Sequence, residues 1–133
     1  MTGLTALLIF AAWTLAMMFA SRAYRLSLIA TFKKGASEFP RGAPNTDPAF
    51  FVRAEYAHLN CLENLPLFAA IVIAAQGLGQ MAVVDGVAAY FIIARIVQST
   101  IHLIGTSEPL VMARATVFFV QVILYVYMFL NLL

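Results

Sequence analysis

Apolar residues run almost unbroken through four stretches of the chain, from about Leu4 to Ala30, Phe50 to Gln76, Met81 to Ile104 and Leu110 to Leu133. Crossing a hydrocarbon layer of roughly 30 Å takes about 20 helical residues, and only a helix or a closed barrel satisfies its own backbone there. The pattern therefore predicts four membrane-spanning helices. Between the first two, Lys33 to Pro48 carries three prolines and two glycines, a loop composition. Asp47 before Pro48 predicts an N-cap with proline at the first helical position. Gly77, Gly79 and Gly86 mark a short second turn, Gly105 closes the third helix, and Ser107, Glu108 and Pro109 open the fourth. There is no internal repeat. The expected organisation is one domain over residues 1–133, an all-α integral membrane four-helix bundle.

The second stretch departs from the pattern. From Arg53 to Phe68 it reads R-A-E-Y-A-H-L-N-C-L-E-N-L-P-L-F, so its front half is polar and predicts a weak hydropathy score. A charge near the bilayer centre costs roughly 2.5 to 3.5 kcal/mol on insertion scales, and such groups normally face a bundle interior and find partners. At about 100° per residue, Arg53, Tyr56, Asn60, Glu63 and Leu67 share an arc of about 80°. Asn64 lies at its edge, while Glu55 and His58 point elsewhere. Arg95, Gln98 and His102 repeat the spacing on the third helix, and Arg114, Gln121 and Tyr125 share a face of the fourth. With a rise of about 1.5 Å per residue, Glu63 and Arg95 fall at similar heights, which predicts an ion pair between them.

Composition supports the membrane assignment. The chain is 63% apolar and 11% charged, against roughly 45 to 50% and about 25% in ordinary soluble domains. A net charge of +2 argues against a nucleic-acid partner, which needs clustered basic residues on a soluble surface. Arg22, Arg25, Lys33, Lys34, Arg41 and Arg53 gather around the first loop, so the positive-inside rule places the first and third loops in the cytoplasm and both termini outside. The N-terminal segment has no Lys or Arg before Arg22 and is expected to be a retained anchor rather than a cleaved signal. Arg22, Arg25, Lys33 and Lys34 read as topology determinants and lipid-headgroup contacts. Cys61, the one cysteine, excludes an intramolecular disulfide and reads as a small buried apolar residue. His58 and His102 lack the close partners of a metal site, and Pro66 is expected to kink the second helix.

The run N-C-L-E-N-L-P-L-F at Asn60 to Phe68 resembles the second-helix signature of the membrane-associated proteins in eicosanoid and glutathione metabolism, the MAPEG family. The basic first loop, the A-R-I-V-Q run of the third helix and an Arg near the start of the fourth are similar too. The resemblance implies a homotrimer of four-helix subunits, with glutathione as co-substrate held between neighbours near the cytoplasmic side. It makes Asn60 and Glu63 glutathione contacts, matches Arg53 to an Arg seven residues before that Asn, and makes Arg95 a support of the site. Arg114 corresponds to the catalytic Arg that stabilises the glutathione thiolate. Two positions depart: Tyr56 stands where many members have an Arg, and His102 where several have a Tyr.

A thiol near pKa 8.5 is a poor nucleophile while protonated, and a guanidinium in a water-poor site favours its thiolate. Arg stays charged and offers fixed donors, which suits Arg114 to that task. Arg53 and Asn60 are then expected to hold carboxylates and amides, Glu63 the ammonium, with Tyr56, Gln98 and His102 on the same seams and Tyr125 an auxiliary donor. The expected function is a membrane-bound glutathione transferase or peroxidase acting on hydrophobic electrophiles or lipid hydroperoxides, reached from the lipid of a bacterial inner membrane. Two alternatives stand beside it: a non-catalytic member of the fold binding a lipid or another thiol ligand, favoured by Tyr56, and a small channel or transporter subunit. Mixed charge signs along one short stretch suit a zwitterion better than ion conduction.

Overall fold

The computed structural model describes all residues from Met1 to Leu133. Four helices follow one another, α1 Gly3–Ala30, α2 Ala49–Leu78, α3 Met81–Ile104 and α4 Glu108–Leu132, with a 3-10 turn at Ala36–Glu38 in the first loop and no strand. All four are long and apolar enough to cross a membrane. That includes α2, correcting the weak score predicted for it: the apolar half beyond Asn64 carries the average.

Local chemistry sets the ends. The Thr2 hydroxyl accepts the Thr5 N–H at 3.1 Å and caps α1. Pro48, not Asp47, is the cap of α2, its carbonyl accepting the Phe51 N–H at 2.9 Å. Asp47 is instead drawn to Arg25, whose Nε donates to its carboxylate over 2.6 Å. A charged donor is a stronger partner than a backbone amide. At the other end of α2, Gly79 adopts a left-handed φ of 68°, with its N–H on the Gln76 carbonyl and the Gln80 N–H on that of Ala75. This Schellman turn reverses the chain at once and makes α2 and α3 antiparallel neighbours.

The core sits where α1, α2 and α3 meet. Phe68 and Phe91 stack with ring centres 4.4 Å apart and planes 4° from parallel, and Phe10 tilts against both. Tyr125 of α4 meets Phe91 edge-on at 4.9 Å. In the first half of α2 the inward face is built from Ala54, Ala57, His58 and Cys61, and in the second half from Phe68, Ile71, Val72 and Ala75. Small residues allow helices in lipid to approach closely, which matters where burial from water supplies no driving force. Gly3 fastens one end: its N–H donates to Asp85 Oδ1 over 2.6 Å, tying the start of α1 to α3. At the opposite end Arg53 Nε donates to the Leu103 carbonyl over 3.0 Å, so the first loop and the α3–α4 turn lie on one side.

Candidate functional site

The polar stripe of α2 faces away from its own bundle. Tyr56, Glu63 and Leu67 are exposed, and Arg53 and Asn60 are half-buried. This corrects the expectation that the stripe faces inward: the small face packs against α1 and leaves the polar one outside. The polar groups inside are Arg95, Gln98 and Ser99 of α3, Gln121 of α4, His58 of α2, and Thr14 and Ser21 of α1.

Arg95 is fully buried and its guanidinium lies 5.3 Å from the Phe10 ring centre. Its Nη1 donates to Asn60 Oδ1 at 2.6 Å and to Gln98 Oε1 at 2.9 Å, while Nε and Nη2 have no partner. No ion pair joins it to Glu63. The chain's two ion pairs are Arg22–Glu55 and Arg25–Asp47. Equal height did not mean equal direction: Glu63 projects outward, and Asn60, nearer the α3 side, supplies a neutral acceptor in its place.

An arginine can only donate, so the amide atoms of Asn60 and Gln98 that face it are oxygens. Gln121 Nε2 donates to the same Gln98 oxygen at 3.0 Å, which fixes that amide from a second side. Both amides thus turn their NH2 groups away from the guanidinium. Neither nitrogen has a partner within the chain, and both residues line an open cavity.

That cavity measures about 580 Å3 and is lined by Tyr56, Asn60, Glu63, Gln98, His102 and Arg114, with Leu59, Thr106 and Val111 completing it. Tyr56 and His102 form one wall, their rings stacked with centres 6.3 Å apart and planes 9° from parallel. A smaller recess of about 240 Å3 shares Asn60, Gln98 and Arg114 and runs along α4 to Phe118. The lining holds one guanidinium and one carboxylate, so it opposes two charge signs across a small space. Three α-helices therefore bring six of the sequence-derived candidates together, and the third turn adds Thr106.

The remaining candidates lie elsewhere. Arg95 sits beneath the cavity and touches it through the two amides. Arg53 is bound to the Leu103 carbonyl. Tyr125 is buried, its hydroxyl donating to the Asn64 carbonyl at 3.1 Å. Leu59, Thr106 and Val111 were missed by sequence reasoning; Leu59, three residues after Tyr56 and four before Glu63, and Val111, three before Arg114, carried a periodic signal.

A family model described as the MAPEG family matches residues 3–133. The chain belongs to the MAPEG family. No curated protein and no solved structure matches it. Other features of this MAPEG protein are structural: His58 Nδ1 lies 3.2 Å from the Thr14 carbonyl, and the buried Cys61 Sγ lies 3.5 Å from Ser99 Oγ. α2 continues through Pro66 without a break. No three His, Cys, Asp or Glu side chains converge as a metal site would require.

Proposed function

We propose that this MAPEG protein is a membrane-bound glutathione-dependent transferase or peroxidase that binds glutathione in the outer cavity of α2, α3 and α4. The observation that carries the reading is the cavity lining, where Arg114 and Glu63 face a common space floored by the donor amides of Asn60 and Gln98. Glutathione offers complementary groups: an ammonium for Glu63, amide and carboxylate oxygens for the two NH2 groups, and a thiol for Arg114. Tyr56 and His102 contribute from the end nearer the first loop, while Arg53 and Tyr125, bonded to the Leu103 and Asn64 carbonyls, stand outside the lining.

Arg114 favours ionisation of the thiol by placing positive charge beside the sulfur in a poorly hydrated space. The thiol proton passes to water, and the thiolate attacks an apolar substrate arriving from the lipid. At carbon the S–C bond forms as the leaving group departs with its electron pair. At a hydroperoxide the O–O bond breaks to give an alcohol and a glutathione sulfenic acid, which a second glutathione converts to the disulfide and water. Arg114 is the counter-charge until the sulfur is neutralised. An outward-facing cavity is incomplete alone, which supports a homotrimer in which a neighbouring subunit closes it. The basic residues around the first loop support a cytoplasmic first and third loop.

One observation favours a second reading, a non-catalytic protein binding a lipid or other thiol ligand. Tyr56 occupies the position of a family Arg and stacks on His102, so this wall offers glutathione's carboxylates no guanidinium.

Calorimetric titration of detergent-purified protein with glutathione separates the two. Binding by the intact chain, with an ultraviolet thiolate signal lost in Arg114→Ala, is expected. Absence of binding heat at several temperatures would remove the glutathione reading and leave the second.

A further inference from the structure

A separate cavity of about 350 Å3 lies at the first-loop end, beside α1 rather than α4. Arg22 and Arg25 enter it from α1, Arg41 from the loop and Glu55 from α2, with Leu26 and Phe39 among its apolar walls. From Gly3 to Arg22 the helix climbs roughly 28 Å, close to the thickness of a hydrocarbon layer of roughly 30 Å. These arginines therefore stand at headgroup height.

Their charges are not balanced within the chain. Arg25 is engaged by Asp47 through Nε and lies over the Phe39 ring at 5.0 Å from its centre. Arg22 approaches Glu55 only to 3.6 Å, and Glu55 also accepts from the Asn45 amide. Arg41 has no carboxylate partner. Three guanidiniums thus meet two carboxylates, Glu55 in the lining and Asp47 behind Arg25, which leaves one positive charge in excess beside the cavity. Planar guanidiniums bind oxyanions through paired N–H groups, and several around one space suit a tetrahedral anion better than a lone carboxylate. The apolar walls adjoin the lipid side, where a glycerol or acyl portion fits.

We propose that this cavity binds a phosphate monoester or free phosphate, held by Arg22, Arg25 and Arg41. An anionic membrane lipid and a soluble phosphate share that chemistry. Occupation would cross-link the end of α1 to the first loop.

The test uses full-length protein in a neutral detergent, titrated with dioctanoyl phosphatidate, with dioctanoyl phosphatidylcholine and with inorganic phosphate, and followed by native mass spectrometry and calorimetry. Saturable binding of one phosphatidate per chain is expected, with Arg41→Gln weakening it about fivefold, which corresponds to roughly 1 kcal/mol. Arg41 is exposed in the loop, so its replacement leaves the helices intact. Phosphatidate binding that phosphate displaces poorly assigns the site to a lipid headgroup; equal affinity for phosphate assigns it to a soluble ion. Phosphatidylcholine binding as tightly as phosphatidate, an unchanged affinity in Arg41→Gln, or displacement by glutathione overturns the proposal. A failed glutathione titration leaves this result untouched, because the two cavities share no residue.

Discussion

Arg95 Nη1 donates to Asn60 Oδ1 over 2.6 Å, and this bond joins the packed interior of the bundle to the floor of the outer cavity. A buried guanidinium with two unpartnered nitrogens costs stability, while its removal strands the Asn60 oxygen at about 1 to 3 kcal/mol. The two effects oppose. Arg95→Met is expected to change unfolding stability by less than about 2 kcal/mol yet weaken glutathione binding about tenfold, since the Asn60 amide loses its orientation and Gln98 keeps only its bond from Gln121. Thermal unfolding and calorimetry on the same samples check the split, and unchanged affinity would count against a positioning role.

Glu63 has no hydrogen-bond or ion-pair partner in the chain, so no direct contact couples it to Arg95. The double variant Glu63→Gln, Arg95→Met is expected to sum the single effects on stability within about 0.5 kcal/mol. A larger coupling would reinstate the ion pair. Glu63→Gln is also expected to weaken glutathione about tenfold while leaving an analogue without the ammonium unaffected, as loss of a charge-assisted hydrogen bond requires. Equal losses for both ligands would sink the ammonium assignment.

Phe91 is fully buried and touches the rings of Phe10, Phe68 and Tyr125. Phe91→Ala is expected to lower stability by about 3 to 5 kcal/mol, because dispersion contacts vanish and helices anchored at both ends close the void only in part. Denaturation in detergent measures it, and a loss under about 1 kcal/mol would show that the helices collapse into the gap.

A Cβ on Gly3 would stand 2.6 Å from Val84 Cγ1, a branched side chain buried in the α1–α3 contact. Gly3→Ala is expected to cost about 1 to 3 kcal/mol and to loosen the Gly3–Asp85 bond. Amide exchange at the start of α1 reads the second effect, and unchanged protection there would refute it.

The four helices were legible because crossing lipid demands length and apolarity, and both are visible in the letters. So was the grouping of Tyr56, Asn60 and Glu63, since 3- and 4-residue spacing fixes a shared face wherever that face points. Its direction was not legible. Lipid is as apolar as a protein core, so an outer and an inner polar stripe look alike until partners are known. The better clue lay opposite, where Ala54, Ala57 and Cys61 are small enough to admit α1. The Glu63–Arg95 pairing failed for a related reason: rise along a helix gives height and not azimuth, and Asn60 and Gln98 satisfied the guanidinium without a carboxylate. Asp47 shows the limit of local signals, because its cap geometry yielded to Arg25, 22 positions away.

α2 keeps its packing residues and its cavity residues on opposite sides. Variation at Tyr56, Glu63 or, across the gap, Arg114 therefore leaves the Ala54–Ala57–Cys61 surface undisturbed. A scaffold divided this way can exchange its outer side chains one at a time, while Asn60 and Gln98, held from within by Arg95, resist such change.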